Sequence, residues 1–336
     1  MTKKIMVTGG AGFIGHHLVE HLLKNTDWDI TVVDRLTYAS SGLDRLRDIK
    51  AFDDRRVHIF TADFTHEFGS GLRSELGEPD YLVHLAAETH VDNSIEDPWP
   101  FIQANVVGTY RILQWARGLS RLEKMIYFST DEIFGPASDG VLHAEWDNYN
   151  STNPYSATKA GGEELCLAWA NTYKVPVLVT HCMNAFGERQ HPEKFIPMVI
   201  RRTLSGEKIY IHANPEKTRS GSRFYIHCRN IASAIQFLLD KGVARDKYNV
   251  VGEREISNLD MVKMIGEFLD RDQDYELVDF HSSRPGHDLR YALDGAKMRE
   301  MGWSIPVDFA HSLEATVRWI ADPMNQKWLN LNAGTK

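Results

Sequence analysis

Residues 8–15 are Thr8-Gly9-Gly10-Ala11-Gly12-Phe13-Ile14-Gly15, and they lie between an apolar segment, Ile5–Val7, and a helical pattern, Phe13–Leu23. The glycines at 9, 12 and 15 allow the chain to turn tightly, expose backbone N–H groups to a phosphate and bring the helix close to the sheet. The spacing is GxxGxxG, and a strand before it and a helix after it are the context of a turn that binds a dinucleotide pyrophosphate.

Short apolar strands alternate with longer helical patterns through the first half of the chain. This alternation predicts βαβ units and a parallel sheet with helices on both faces. After Cys182 the alternation gives way to short segments, basic loops and prolines, apart from one helix-plus-strand unit at 229–251. We therefore predict an α/β fold. A doubly wound parallel sheet of the Rossmann type spans residues 1–182, residues 229–251 return to it, and residues 183–336 form a smaller mixed α/β substrate lobe.

The composition excludes several classes of protein. Of 336 residues, 43% are hydrophobic and 25% are charged, as in ordinary globular proteins. The formal net charge of -8 provides no uniform positive field for nucleic acid or an anionic membrane. No apolar run is long enough to span a bilayer, no secretory signal pattern opens the chain, and the three cysteines include no CxxC pair. We predict a cytoplasmic location, no metal, and neither nucleic acid nor membrane as a partner.

One segment formally matches a zinc-protease pattern. His17-Leu18-Val19-Glu20-His21 fits the inverted HxxEH motif. Leu18 and Val19, however, belong to the apolar stripe of the helix that follows the glycine turn. The histidines are therefore predicted to be surface residues rather than zinc ligands.

An acidic residue at the end of the second strand supports NAD binding. Asp34 follows the glycine turn by about twenty residues, where an acid binds the adenosine ribose and repels a 2′-phosphate. This favours NAD over NADP, although Arg35 belongs to the residue type that accommodates such a phosphate. The predicted cofactor residues are Gly9, Gly12, Phe13, Ile14, Gly15, Asp34, Arg35, Thr37, Asp63, Phe64, Leu85, Ala86, Ala87, Tyr155 and Lys159.

Two neighbouring patterns predict the chemistry. Tyr155 and Lys159 are four residues apart in a helical pattern and so share one face. An ammonium close to the phenol would lower the pKa of the tyrosine, which could then take a hydroxyl proton while a hydride leaves the same carbon. Upstream, a buried strand leads into Thr130-Asp131-Glu132, at the carboxyl end where parallel sheets bind ligands. Two adjacent acids there suggest acid–base chemistry beyond a redox step.

With these motifs, the chain resembles the extended short-chain dehydrogenase/reductases and, among them, the nucleotide-sugar 4,6-dehydratases. The resemblance covers nearly the whole chain, from TGGAGFIG to RPGHDLRYALD. It rests on VVDRLTYA at 32–39, HLAAETHVDNSI at 84–95, FSTDEIFG at 128–135, NPYSATKAG at 153–161, PEKFIP at 192–197 and RPGHDLRYALD at 284–294. TDE before the YxxxK helix is the mark of dehydration, and RPGHD with RY is similar to the dTDP-glucose branch.

The resemblance implies an internal redox cycle with a tightly bound NAD that is recycled in each turnover. Tyr155, supported by Lys159, would deprotonate the C4 hydroxyl, Thr130 would hold that oxygen, and NAD would accept the C4 hydride. Glu132 would then remove the C5 proton while Asp131 protonates the departing C6 hydroxyl. Return of the hydride to C6 would give a 4-keto-6-deoxy sugar.

The resemblance also implies which residues bind the nucleotide sugar. Cationic and amide donors suit its pyrophosphate. Positions that match the family pattern are Thr89, Asn184, Lys194, Phe195, His212, Arg223, Arg284 and His287. Asn105 resembles the family's buried structural asparagine. Family members usually pair through two long helices, predicted here at 101–119 and 155–173, so a homodimer with a four-helix interface is expected.

Several alternatives remain open at this point. His212 lies where dTDP-glucose enzymes tend to carry a tyrosine, so UDP-glucose or another nucleotide hexose is an alternative substrate. A nucleotide-sugar 4-epimerase would share Tyr155 and Lys159 but needs no acid pair, and a decarboxylase typically has serine in place of Asp131. A protein of a different class, one that binds NAD without catalysis, would have no reason to retain all of these residues.

Overall fold

Strands and helices alternate up to residue 182, and shorter elements follow. The computed structural model describes residues 2–279 and 289–329. The first elements are β1 (Lys4–Thr8), α1 (Phe13–Asn25), β2 (Asp29–Asp34), α2 (Asp44–Asp48), β3 (Val57–Thr61), α3 (Ser70–Leu76), β4 (Tyr81–His84), α4 (Val91–Glu96), α5 (Trp99–Phe101), a π-helical segment (Ile102–Gly108), α6 (Thr109–Ala116), β5 (Lys124–Thr130), α7 (Pro154–Tyr173) and β6 (Val177–Cys182).

The later elements are β7 (Ala185–Phe186), α8 (Phe195–Ser205), β8 (Ile209–Ala213), β9 (Ser222–Arg223), β10 (Ile226–His227), α9 (Cys228–Lys241), β11 (Lys247–Val250), β12 (Ile256–Ser257), α10 (Asn258–Leu269), β13 (Tyr275–Asp279), α11 (Ala296–Glu300) and α12 (Phe309–Ala321). Short 3₁₀ turns lie at Tyr38–Ser40, Ala51–Asp53, Asp131–Phe134 and Pro323–Trp328.

The first sheet has seven parallel strands in the order β11-β6-β5-β4-β1-β2-β3. One face packs against α1 and α9 through Leu18, Leu22 and Ile235, and the other packs against α6 and α7. The strand order reverses between β1 and β4, which opens a crevice at their carboxyl ends. These features confirm the predicted doubly wound fold.

Beyond β6, three two-stranded sheets and α8, α10 and α12 surround a separate apolar core that includes Phe186, Val199, Ile211 and Leu313. The chain nevertheless returns to the first sheet at β11, which pairs with β6. The division of the chain at residue 182 stays a prediction.

Helix α7 lies unusually close to strand β5. A Cβ atom placed on Gly162 would lie 2.4 Å from the Tyr127 hydroxyl and 2.6 Å from the Asn105 carbonyl oxygen. The same hydroxyl donates to the carbonyl of Lys159 at 3.1 Å. Asn153 and Ser156 form a capping box at the start of the helix, where Pro154 suits the first turn. The start of α7 is thus held against the carboxyl end of β5.

The long helix predicted at 101–119 is interrupted. Its first part is π-helical, and α6 ends at Ala116. The π-helical turn carries Asn105, which is 1% exposed and donates to the Glu88 carbonyl and the Thr158 hydroxyl, both at 3.0 Å. Its Oδ1 accepts the Glu88 N–H at 2.9 Å. A π-helical turn is an irregularity often found at functional sites, and here it ties the segment after β4 to α7.

Of the two histidines of the HxxEH match, His17 is buried rather than at the surface, and His21 is only partly exposed. His17 is 2% exposed, and its Nε2 lies 3.1 Å from the Glu188 carbonyl oxygen; His21 is partly buried with its Nε2 2.6 Å from Gln236. The helix pattern did not show that α9 and residues 186–189 would cover this face of α1. Among the described residues, no group of three or more His, Cys, Asp or Glu side chains is arranged to hold a metal ion.

Within the same described ranges, no helix combines the length and the apolar character that crossing a bilayer requires.

The α7–β5 contact predicts the effect of a single methyl group. Gly162→Ala should lower the free energy of unfolding by about 1–3 kcal/mol, because the helix or the Tyr127 ring must move to make room. Gly71→Ala is the control, since nothing lies within 4 Å of a Cβ atom at that position in α3. The control should be neutral or stabilising by up to about 1 kcal/mol. Equal effects in denaturant unfolding would contradict this packing.

Candidate active site

A cleft of about 340 Å³ opens at the carboxyl ends of the central strands, within the size range of small-ligand sites. Most of the predicted residues meet there. Those that line it are Gly9, Gly12, Phe13, Ile14, Gly15, Asp34, Arg35, Thr37, Phe64, Leu85, Ala86, Ala87, Thr89, Thr130, Asp131, Glu132, Tyr155, Lys159, Asn184 and Lys194.

Four other predicted residues do not line the cleft, and two cannot be placed. Asp63 follows β3 and lies beside Arg35. Phe195 is the first residue of α8, and its side chain packs against the apolar core that includes Phe186 and Val199. His212 lies on β8, and Arg223 on β9 is 6% exposed with Nη1 donating to the Ser222 carbonyl at 2.7 Å. Arg284 and His287 lie outside the described residues.

The glycine turn has no room for side chains. Gly9 has a φ of +73°, and a Cβ atom there would lie 2.8 Å from the backbone of Ala86. A Cβ atom on Gly15 would lie 2.1 Å from the carbonyl oxygen of Gly9. Among the described residues, no side chain caps the first turn of α1, and Phe13, Ile14 and Gly15 of that turn line the cleft. Backbone donors at a helix N-terminus fit the pyrophosphate of a dinucleotide.

Asp34 and Arg35 lie at the end of β2, where the ribose was predicted. The Asp34 carboxylate accepts the N–H groups of Ala11 at 3.0 Å and Leu36 at 2.8 Å, and burial raises its pKa. Arg35 donates to Glu88 at 2.7 Å and lies 3.9 Å from Asp63. A ribose 2′-phosphate would have to compete with these two carboxylates for the guanidinium, which favours NAD.

The Tyr155 and Lys159 side chains are both buried. The ammonium of Lys159 donates to the Phe128 carbonyl at 2.6 Å and lies 4.3 Å from the centroid of the Tyr127 ring. Burial lowers the pKa of Lys159 to about 8. Burial also raises the pKa of the Tyr155 phenol, and nearby Glu132 raises it further. Enclosure and the neighbouring acid both oppose a phenolate, so the net shift of the Tyr155 pKa is upward rather than the expected lowering.

The two acids follow β5 directly, in a 3₁₀ turn that Thr130 begins. The Thr130 hydroxyl donates to Asp131 Oδ1 at 3.0 Å and accepts the Glu132 N–H at 3.4 Å. On the other side, Asn153 Nδ2 donates to Glu132 Oε2 at 3.2 Å. Asp131 is 4% exposed, whereas Glu132 keeps some exposure to the cleft. We refer to Asp131 and Glu132 as the acid pair.

The acid pair titrates near neutral pH. Burial raises the pKa of Asp131 to about 6. Burial and the adjacent Asp131 raise the pKa of Glu132 to about 7. Glu132 therefore has the higher pKa of the two. Part of the rise in its pKa comes from repulsion by the ionised Asp131 carboxylate, and this part disappears once Asp131 is protonated.

Each acid accepts one side-chain hydrogen bond, from Thr130 at Asp131 Oδ1 and from Asn153 at Glu132 Oε2. Glu132 accepts an amide N–H, which favours its carboxylate. Asp131 Oδ2 is buried and has no hydrogen-bond partner among the described residues, which suits a protonated oxygen. The unpartnered Oδ2 therefore favours the protonated form of Asp131, as expected for the acid of the pair.

Several residues at the site were not predicted from the sequence. The Ser94 hydroxyl accepts the N–H of Tyr155 at 3.2 Å, and Asn153 bonds to Glu132. Arg45 is fully buried at the edge of the cleft and donates to the Ala39 carbonyl at 2.7 Å. Asn153 could have been found, because Asn before Pro at a helix start is a capping signal. Arg45 carries no such signal in a polar helical segment.

Comparisons with known proteins agree with this geometry. The model of the NAD dependent epimerase/dehydratase family matches residues 5–251. A dTDP-glucose 4,6-dehydratase of Escherichia coli is 36% identical over 97% of this chain and 95% of that protein. One from Salmonella typhimurium is 37% identical, over 97% of this chain and 94% of that protein.

A solved structure extends the likeness to three dimensions. The dTDP-glucose 4,6-dehydratase of Streptomyces venezuelae, crystallised with NAD and dTDP, superposes with a TM-score of 0.86 at 34% identity. The match covers 97% of this chain and 99% of that one. Because the family model spans most of the chain and the relatives match over nearly its full length, the chain belongs to the NAD dependent epimerase/dehydratase family.

Proposed function

We propose that this protein is an NAD-dependent 4,6-dehydratase that converts dTDP-glucose to the 4-keto-6-deoxy sugar. The observation that carries the proposal is the acid pair, which opens into the same cleft as Tyr155 and Lys159. Inversion at C4 needs the tyrosine and lysine alone, whereas elimination of water across C5 and C6 needs an acid and a base as well. The dTDP-glucose dehydratases among the relatives support the choice of substrate.

The glycine turn, Asp34 and the small residues after β4 form the NAD site in this proposal. NAD, when bound, supplies reversible two-electron oxidation of the sugar. The N–H groups at the start of α1 would hold its pyrophosphate, and Asp34 would bind its adenosine ribose. Glu88 and Asp63 pair with Arg35, so a 2′-phosphate would have to displace these carboxylates to bind that guanidinium.

Tyr155 is the base for the first step. Its phenolic oxygen takes the proton of the C4 hydroxyl, and the Thr130 hydroxyl holds the same sugar oxygen. Lys159, whose pKa of about 8 leaves it largely charged at neutral pH, stabilises the phenolate that this transfer requires. Enclosure of both side chains strengthens that attraction.

The acid pair performs the second step. A ketone at C4 acidifies the C5–H bond, and the Glu132 carboxylate removes that proton. Asp131 gives its proton to the departing C6 hydroxyl, so one water leaves the sugar. With their pKa values between about 6 and 7, the two carboxyls can exchange protons with the substrate at neutral pH without a large energetic penalty.

Thr89, Asn184 and Lys194 line the cleft beyond the acid pair and are proposed to hold the nucleotide sugar. The Asn184 Oδ1 is buried and has no hydrogen-bond partner among the described residues, which suits a ligand N–H or O–H donor. Phe195, His212, Arg223, Arg284 and His287 complete the proposed substrate set. UDP-glucose is the second candidate substrate, because His212 occupies a position where dTDP-glucose enzymes tend to carry a tyrosine.

We also infer a homodimer in the cytoplasm. Ile102 (37%) and Tyr173 (40%) are exposed apolar side chains on the helices expected to pair, and Ile95 (38%) and Trp99 (58%) are exposed in the segment just before the first of them. Burial of such a stripe against a second copy would remove it from water. A solution mass equal to one chain would contradict the dimer.

The proposed function is tested by parallel incubation of the purified protein with dTDP-glucose and UDP-glucose, followed by mass. We expect dTDP-glucose to lose one water and UDP-glucose to react much more slowly. Faster loss from UDP-glucose would make it the substrate. An epimerised or decarboxylated sugar, or no reaction with either compound, would contradict dehydration.

The acid pair predicts a separation of the two steps. In Asp131→Asn combined with Glu132→Gln, oxidation at C4 should persist in part, because Tyr155 and Lys159 are unchanged. Elimination should fall by at least about a hundredfold, the low end of general acid–base contributions. Near-ultraviolet absorbance should therefore show reduced cofactor accumulating without 6-deoxy product.

Tyr155→Phe is the matched control, and it should lose the absorbance change as well, because no base remains at C4. Full turnover by the double variant would remove the acid pair from the mechanism.

A further inference from the structure

The side chain of Asn153 bonds in two directions. Its Oδ1 accepts the N–H of Ser156 at 2.9 Å, which caps helix α7, and its Nδ2 donates to Glu132 Oε2 at 3.2 Å. The residue is 6% exposed. We propose that Asn153 is a positioning residue for the elimination step, which holds the Glu132 side chain in the orientation and charge state of a base. This inference rests on the proposed function.

The cap determines which end of the amide faces Glu132. The backbone N–H of Ser156 can only donate, so the amide oxygen must face it and the NH₂ group must face the carboxylate. The Ser156 hydroxyl accepts the Asn153 N–H at 3.4 Å, which completes the capping box. It also donates to the Asn153 carbonyl at 3.0 Å, and the two bonds limit movement of the residue. A donor is therefore directed at Glu132 by the same contact that begins the catalytic helix.

An N–H donor favours the charged form of a carboxyl group. The charged and titratable groups that face Glu132 are Asp131, Tyr155, Arg223 and Lys194. Asp131 raises the pKa of Glu132, and Arg223 and Lys194 lower it. The hydrogen bond from Asn153 also lowers it and outweighs either cation. Without that bond, Glu132 would hold a proton over more of the neutral range and would be a poorer base.

Capping and donation can be separated by substitution. Serine and aspartate cap helices about as well as asparagine, whereas alanine does not. Neither serine nor aspartate presents an N–H donor to Glu132. Asn153→Ser therefore keeps the cap and replaces the N–H donor with the hydroxyl of a shorter side chain. Asn153→Asp keeps the cap, removes the donor and adds a like charge beside Glu132. Ser156→Ala does the reverse, because it weakens the capping box and leaves the Asn153–Glu132 bond in place.

The experiment measures product formation from dTDP-glucose against pH in the holoenzyme and its variants. Activity falls at acid pH as Glu132 becomes protonated. This fall is the acid limb of the pH profile. Loss of the hydrogen bond to the Glu132 carboxylate raises the pKa of Glu132 and moves the acid limb to higher pH. We expect a shift of about one pH unit in Asn153→Ser, equivalent to about a tenfold loss of rate on the limb, and a larger shift in Asn153→Asp.

Two further measurements separate positioning from folding. The thermal midpoint should stay near wild type in Asn153→Ser and fall in Ser156→Ala, whose acid limb should not move. Infrared titration of the Glu132 carbonyl band, assigned with Glu132→Gln, should show the same order of shifts without turnover.

Acid limbs that coincide in wild type, Asn153→Ser and Asn153→Asp would overturn the inference, as would an equal shift in Ser156→Ala. Absence of product from the wild-type enzyme would reject the proposed function and the inference with it. Product from wild type together with unmoved limbs would reject the inference alone.

Discussion

The seating of helix α7 on strand β5 determines the arrangement of the cleft. The Lys159 ammonium donates to the Phe128 carbonyl, the Tyr127 hydroxyl donates to the Lys159 carbonyl, and Gly162 leaves the space that the Tyr127 ring occupies. Because the acid pair follows β5 directly and Tyr155 lies in the first turn of α7, one interface places both sets of groups. A movement of the helix by the width of a methyl group would separate the base for oxidation from the groups for elimination.

The same interface encloses an unusual number of titratable groups. Two carboxyls, a phenol and an ammonium share a space in which burial disfavours every charged form. The outcome is a set of pKa values moved toward neutrality for Asp131, Glu132 and Lys159, so protons can pass to and from a sugar at moderate cost. Thr130 donates to Asp131 and Asn153 donates to Glu132, but Asp131 keeps one buried oxygen without a partner among the described residues, which distinguishes the two adjacent acids.

Local patterns in the sequence predicted the sheet, the glycine turn, Asp34 and the meeting of the acid pair with Tyr155. Each of these features depends on residue spacing within one element, or on residues that directly follow the carboxyl end of a strand. The π-helical turn within the 101–119 helix was not predictable, because the residue it carries, Asn105, bonds to two segments that are distant in the sequence. The burial of His17 depends likewise on packing between elements far apart in the chain. The raised pKa of Tyr155 could not be anticipated from a lysine four residues away, because burial outweighs that charge.

The account as a whole claims that one sugar molecule is oxidised, dehydrated and reduced without leaving the cleft. The most direct test is a single incubation of dTDP-glucose carrying deuterium at C4, mixed with unlabelled dTDP-glucose, followed by mass and nuclear magnetic resonance of the product. The account predicts that each labelled sugar keeps its deuterium and carries it at C6, with a solvent hydrogen at C5. Loss of the deuterium to water, its retention at C4 or its transfer to unlabelled molecules would contradict the account.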